Sequence, residues 1–428
     1  MHHIELILLA LYFLVGPATW VFYNWGLSAG RRKMQLVTKP LHPIKVSPPP
    51  LVSILIPAKD EGERIRRCLE SALAQDYPHV EVIAIDDRSS DSTGQVMDAV
   101  AAEHPNVRVL HITNPPEAGW TGKNSALHHG SQLAKGEWLL FVDSDVVIEK
   151  DAVTATMSVV LRKQFDLLSL LPRVENHSFW ERTLIPLCGG AASTMYMIAL
   201  SNKAESKSSF ANGQFMLMSR HAYDTIGGHD SVRGYLCEDV AIARLIKNHG
   251  FRPRVSWGND YASVRMYDSL GAIIRGWGRI YYAARFGRPW TILAALAFVI
   301  VCMFSCYPAM AWGIWRTLHP VAASGGFIGT WSAKLLGPEW LIVGGVHWTL
   351  MSIMVARIYR WSGTLGRSAL LFPIAGPLLA YTLIYALKLC ITKRIEWRGT
   401  AYSRKTHASS VQAKPVPVLP ARAVESRV

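Results

Sequence analysis

No C-x-x-C pair occurs anywhere in this chain of 428 residues, and its six cysteines (Cys68, Cys188, Cys237, Cys302, Cys306 and Cys390) are scattered. That spacing argues against a disulfide framework and a zinc site, and it fits a reducing compartment. No internal repeat is visible either, which removes the repeat architectures. Acids are scarce beside bases, 31 against 45, for a formal charge of +14. Such an excess suits a nucleic-acid binder, yet its distribution argues against nucleic acid as a partner, because the bases crowd against apolar segments.

Half of the residues are hydrophobic, leaving room for one substantial globular domain plus several membrane segments. Ile4 to Tyr23 is a nearly uncharged run of about bilayer-spanning length. Its front end lacks the basic stretch of a secretory signal, and Arg31, Arg32, Lys33, Lys39 and Lys45 follow it with no acid among them. An uncleaved anchor with this cluster on the cytoplasmic side is the better reading. Thr38 to Pro50 is rich in Pro and Lys and reads as an extended spacer. Further apolar segments run from Trp290 to Trp315, Leu341 to Ala356 and Ala369 to Leu389. Arg275, Arg279, Arg285 and Arg288 precede the first of these, and Lys393, Arg394, Arg398, Arg404 and Lys405 follow the last. With Arg357, Arg360 and Arg367 on its other side, the last segment has two cytoplasmic-looking ends. Pro373 and Pro377 lie inside it, so a re-entrant hairpin and a true span both remain open. His347 is the exception in otherwise apolar segments and reads as a hydrogen-bonded interior residue. The expected division is an anchor at 1–25, a basic linker at 26–50, a globular domain at 51–265, an interfacial segment at 266–289, membrane segments at 290–391 and a basic disordered tail at 392–428.

Leu51 to Ala58, Val80 to Asp87, Val107 to Ile112 and Trp138 to Asp145 are short, branched apolar runs. Helical patterns separate them at Arg64 to Ala74, Thr93 to Ala102 and Asn124 to Ala134. This alternation predicts an α/β fold with a mostly parallel sheet, covered on both faces. Ligands of such sheets gather at the carboxyl ends of the strands, where Asp86-Asp87 and Asp143-Ser144-Asp145 fall.

Asp143 and Asp145 offer hard oxygen ligands suited to Mg²⁺ or Mn²⁺, although Asp is also common at strand ends and turns. Asp86 and Asp87, with Asp60 and Glu61 as companions, can serve the imide of a uracil-type base and ribose hydroxyls. Further along, Asp91 or Ser92 reads as an ordinary helix cap. Gly119-Trp120-Thr121-Gly122-Lys123 is a glycine-bounded loop whose lysine meets a diphosphate or is merely solvated. Glu238-Asp239 opens a helical pattern running to His249, where acids in a first turn ordinarily compensate the dipole.

The ordered set Val52-Ser53-Ile54-Leu55-Ile56-Pro57-Ala58-Lys59-Asp60-Glu61, Ile85-Asp86-Asp87-Arg88-Ser89-Ser90-Asp91, Asp143-Ser144-Asp145, Asn212-Gly213-Gln214-Phe215 and Glu238-Asp239 resembles the family 2 glycosyltransferases of GT-A fold, from about Leu51 to Val264. Gly119 to Lys123, Ser178-Phe179-Trp180-Glu181-Arg182 and Arg233 to Asp239 are similar to hopene-associated and carotenoid-type bacterial members. The resemblance implies a GT-A (Rossmann-like) domain with one N-terminal and two to three C-terminal transmembrane helices. It also implies an inverting, metal-dependent enzyme of the bacterial plasma membrane, its catalytic domain cytoplasmic. Pro57, Asp60, Glu61, Asp86, Asp87, Lys123, Ser144 and Gly213 would bind a UDP- or GDP-sugar, Asp143 and Asp145 the metal, and Asp239 would be the base, supported by Glu238. The acceptor would be a hopanoid, carotenoid or other lipid alcohol. Two features depart from the family: Asp60 stands where Asn is frequent, and the Q-x-x-R-W motif of processive members is absent, with Arg275-Gly276-Trp277-Gly278-Arg279 the nearest feature. A processive polysaccharide synthase and a non-catalytic nucleotide-sugar-binding membrane protein are the alternatives, separated by product length and by turnover. Trp397-Arg398-Gly399 with Tyr402 is similar to a post-membrane motif of the same group.

Overall fold

The computed structural model describes residues 2–392 except 40, 45, 285–287 and 320–326, together with 395–397 and 400–402; at 2–3, 199, 327–335 and the last two stretches it describes the backbone alone. The expectations for Lys45, Arg285, Lys393, Arg394, Arg398, Gly399, Arg404, Lys405 and the disordered tail lie outside the described residues.

The chain divides into two compact units, one of which joins Arg32–Glu175 with Tyr196–Met266. Its strands are β1 (Val52–Ala58), β2 (Val80–Asp87), β3 (Val107–Ile112), β4 (Trp138–Val142), β5 (Val146–Ile148), β6 (Leu167–Leu171), β7 (Arg173–Val174), β8 (Phe215–Ser219), β9 (Pro253–Trp257) and β10 (Ala262–Val264). Seven form one sheet in the order β3-β2-β1-β4-β8-β6-β9, and β5, β10 and β7 form a small second one. The first four strands are parallel, linked by the helices Ile65–Leu73, Thr93–Glu103 and Gly122–Leu133. β8 alone runs antiparallel to both of its neighbours.

Period-two side-chain alternation explains why these strands are apolar throughout. Val52, Ile54 and Ile56 of β1, Val82 and Ala84 of β2, and Leu140 and Val142 of β4 enter one core. Leu55, Ile83, Ile85, Leu139 and Phe141, the residues between them, enter the core on the opposite face. Both faces are therefore covered, as a parallel sheet requires.

Two expectations are corrected. β4 stops at Val142, not Asp145, because the chain turns there, Val146 N–H donating to the Asp143 carbonyl at 3.1 Å. Asp143 and Asp145 thus stand in the turn after the strand. The helix expected from Asn124 begins at Gly122, since the Thr121 hydroxyl caps it by accepting from Asn124 N–H, which puts Lys123 in the first helical turn. The residues around the start of the spacer pack on the sheet. Met34 and Val37 are buried, Met34 accepts a backbone bond from Trp257 on edge strand β9, and Lys39 pairs with Asp151 at 2.8 Å.

The other unit comprises Met1–Arg31, Asn176–Met195 and Tyr267–Thr392. With the helix that continues to Lys33, four helices among the described residues are long and apolar enough to cross a membrane: Ile4–Lys33, Pro289–Leu318, Leu336–Trp361 and Gly366–Thr392. His347 is wholly buried, its Nε2 2.8 Å from the Cys302 carbonyl and its Nδ1 2.8 Å from the Tyr12 hydroxyl, as the interior reading requires. Glu5 accepts from Arg316 at 2.9 Å where the first helix starts and the second ends. At the opposite end of the first helix, Arg31 and Arg357 both lie over the Trp361 ring. The last helix has an informative register. Phe372 stacks on Phe304, midway along the second helix, whereas Gly278, ahead of that helix, packs on Tyr385. Phe372–Thr392 therefore starts beside the middle of the second helix and ends beside the residues that precede it, which favours the re-entrant reading.

Candidate active site

All of the sequence-predicted site residues belong to the sheet unit, and a continuous chain of contacts links most of them along the carboxyl ends of β1, β2 and β4. The loops after β1 and β2 are latched together. Asp60 Oδ1 accepts from Ser90 N–H at 2.7 Å, Glu61 N–H donates to the Thr93 hydroxyl at 2.8 Å, and Gly62 N–H to Asp91 Oδ2 at 2.9 Å. Asp91 also accepts from Thr93 N–H at 2.9 Å, so it satisfies the start of the next helix as expected.

Asp86 and Asp87 are both buried. Asp86 Oδ1 accepts from Ser89 N–H at 3.1 Å, and Oδ2 lies 3.0 Å from His111 Nδ1. The other nitrogen of His111 lies 2.9 Å from Asp98. Asp86 first and Asp98 second raise the pKa of this imidazole, which as an imidazolium donates to both carboxylates. Asp87 is gripped by its neighbour: Arg88 Nε and Nη2 meet its two oxygens at 2.7 and 2.9 Å. A Cβ at Gly122 would come within 2.7 Å of Asp87 Oδ2, so the glycine-bounded loop presses directly on this pair.

Beyond Gly122, Lys123 leads into the second half of the site. Its ammonium lies 2.7 Å from both Asp143 Oδ1 and Glu238 Oε1. Burial alone would depress its pKa, but the two carboxylates raise it on balance, and the group stays cationic. Gly213 is packed so closely that a Cβ would meet Lys123 Nζ at 3.1 Å, Glu238 Oε1 at 3.2 Å and Asp239 Oδ2 at 3.4 Å. Its N–H donates to Asp239 Oδ2 at 2.8 Å, while Asp239 Oδ1 accepts from Val240 N–H at 2.7 Å. Asp239 thus does more than cap its helix. Burial first, then the charge of Glu238, pushes its carboxyl up to about 7, against the pull of Lys123. A carboxyl so poised can gain or lose a proton near neutrality.

Pro57 and Ser144 border these loops, Pro57 one residue from the end of β1 and Ser144 buried between the two aspartates. The two carboxylates of the D-x-D turn fit a divalent ion in one respect, their hard oxygens, with one Asp143 oxygen already on Lys123. Among the described residues no group of three or more His, Cys, Asp or Glu side chains could hold a metal alone. An ion here would need oxygen ligands from a phosphate substrate, a common arrangement for Mg²⁺. Asp145, Asp143 and Glu61 share one neighbour, the buried Cys68, whose thiol pKa is raised by burial and then by these three charges. Sequence reasoning missed His111, Arg88 and Cys68. His111 is the penultimate residue of β3 and lies beside Asp86 in register, so a β2–β3 pairing would have found it.

A family model described as "Glycosyltransferase like family 2" matches residues 48–267. The glycosyltransferase GlyG of Streptococcus pneumoniae is 32% identical over 118 residues, covering 28% of this chain and 38% of that protein. A 4,4'-diaponeurosporenoate glycosyltransferase of Staphylococcus aureus is 27% identical over 249 residues, covering 57% of this chain and 64% of that protein. The chain thus spans well under half of one relative and just under two thirds of the other. The solved mannosyltransferase PcManGT of Pyrobaculum calidifontis, in complex with GDP-Man and Mn²⁺, aligns over 91% of this chain and 98% of its own at 18% identity and a TM-score of 0.45.

Proposed function

This chain belongs to the family 2 glycosyltransferases, with a GT-A-like domain and helices able to span a membrane, and on that premise we propose that it moves a single sugar from a nucleoside diphosphate donor to the hydroxyl of a membrane lipid, inverting the anomeric centre. The observation that carries the reading is the ordered run of contacts from Asp60 through Asp86, Asp87, Gly122 and Lys123 to Asp143, Glu238 and Asp239. Carboxylates stand at both ends and cations in the middle, a charge order that matches base and ribose, then diphosphate, then the reacting sugar.

Asp60, Glu61, Asp86 and Asp87 would receive the nucleoside, with Pro57 shaping the strand exit beneath it. Lys123 would lie against the diphosphate, with Ser144 behind it. Asp143 and Asp145 would hold Mg²⁺ or Mn²⁺, which when bound neutralises charge on the departing diphosphate. Asp239, held by Gly213 N–H, takes the proton from the acceptor hydroxyl, and the freed oxygen attacks the anomeric carbon opposite the breaking bond. Glu238 keeps Asp239 basic enough for that task and fixes Lys123 through the 2.7 Å contact. The four apolar helices and the carotenoid-type relatives support a lipid acceptor. The basic flanks of those helices support a plasma-membrane location with the domain at residues 51–265 on the cytoplasmic side.

The test offers membranes containing the protein a panel of labelled UDP- and GDP-sugars together with extracted lipids. The expected product is a lipid bearing one labelled sugar, formed from one donor and lost on adding EDTA. Release of nucleotide with no labelled lipid would remove the acceptor assignment, and a growing polymer would remove the single-transfer one.

A further inference from the structure

Four non-glycine residues among those described have a left-handed backbone: Asp60, Arg88, Gln164 and Met197. Gln164 is a helix C-cap and Met197 flanks a short helix, places where this conformation recurs for local reasons. The other two sit in the successive loops after β1 and β2. Asp tolerates left-handed geometry through its short polar side chain, but Arg has no such allowance, and its φ of 57° is one that glycine would adopt without strain. Strain of this kind collects where function holds it.

The Arg88 side chain says what is held. Only 20% of it is exposed, its fork is bidentate on Asp87, and its Nη2 lies 3.2 Å from where a Gly122 Cβ would be. The guanidinium is therefore fixed beside the glycine-bounded loop, one residue ahead of Lys123. It lies between the Asp60–Asp86 end of the contact run and the Asp143–Asp239 end. The left-handed turn brings two consecutive side chains together and so fixes the direction of the fork, and guanidinium geometry matches phosphate oxygens better than an ammonium does.

We propose that Arg88 is a second cationic ligand of the donor's diphosphate, pre-oriented by Asp87 and acting beside Lys123. The inference rests on the proposed donor class and deepens it, and the test separates the two. Full-length protein in detergent is titrated calorimetrically with uridine, UDP, guanosine and GDP, as wild type and as Arg88→Gly, Arg88→Asn and Arg88→Lys. Gly and Asn both accept the left-handed backbone, so two variants that cannot contact phosphate keep the test open if one fails to fold. Wild type should prefer one diphosphate to its own nucleoside. Arg88→Gly and Arg88→Asn should weaken that diphosphate by roughly tenfold to a hundredfold, the range for hydrogen bonds to charged groups, and weaken the nucleoside, which Asp87 also serves, by much less. Arg88→Lys should fall between. Equal loss of nucleoside and diphosphate would make Arg88 a structural residue, and no loss of either would also overturn the proposal. A wild type that shows no preference for a diphosphate would instead bring down the donor reading on which it rests.

Discussion

At the scale of single residues, two titrating groups give the site its pH dependence. Asp239 works as a base only when ionised, and burial with the Glu238 charge raises its pKa to about 7. The turnover rate should therefore climb as pH rises toward that value and level off above it. Glu238→Gln removes the like charge and should move the inflection to lower pH in a rate profile. His111 behaves oppositely. Its pKa is raised by Asp86 and Asp98, so its double contact is complete in acid and is lost as pH rises through the elevated value. Donor KM should increase across that window in wild type, whereas in His111→Gln it should be higher throughout and lack the trend. Steady-state KM measured at a series of pH values checks this. The acids of the site were legible as types and positions. Their pairing was not, since Lys123 meets Asp143 twenty positions on in the chain and Glu238 far beyond it, contacts that only the folded sheet creates.

Among elements, the first four strands could be read directly, because apolar residues run unbroken through Ile83 to Ile85 and Leu139 to Val142 and helical patterns separate them. The later part of the sheet was less visible. β8 reverses direction between β4 and β6, and nothing in Phe215–Ser219 announces that reversal. The β4 boundary lies earlier than expected because the backbone turns directly after the apolar run, with Val146 N–H closing on the Asp143 carbonyl. Gly136, just ahead of β4, shows how tightly the central strands are set. A Cβ there would come within 2.6 Å of the Ser53 backbone nitrogen and 2.8 Å of the Leu51 carbonyl, neither of which can move without shifting β1. Gly136→Ala should cost about 1–3 kcal/mol, the usual penalty of overpacking. Thermal or denaturant unfolding of the two forms would show it as a lower midpoint.

For the molecule as a whole, the membrane unit predicts the side on which the chain re-emerges. The first and third apolar helices end together at Arg31, Arg357 and Trp361, and the last helix ends beside the residues preceding the second. A reporter placed directly after Thr392 should label from the same side as one in Leu270–Ala284, ahead of the second apolar helix. Labelling from opposite faces would mean that Phe372–Thr392 crosses fully. The proline content of that segment left both outcomes open in the sequence, and the Phe304–Phe372 and Gly278–Tyr385 contacts favour one. The central claim is that the run from Asp60 to Asp239 holds a nucleotide-sugar with its reacting end at Asp239. Donor affinity and single-turnover transfer measured on one preparation of Asp239→Asn test it most directly. Donor binding should stay close to wild type while transfer to lipid falls by about 10²- to 10⁴-fold, the usual contribution of a positioned base. Transfer near the wild-type rate, with the donor still bound, would contradict it.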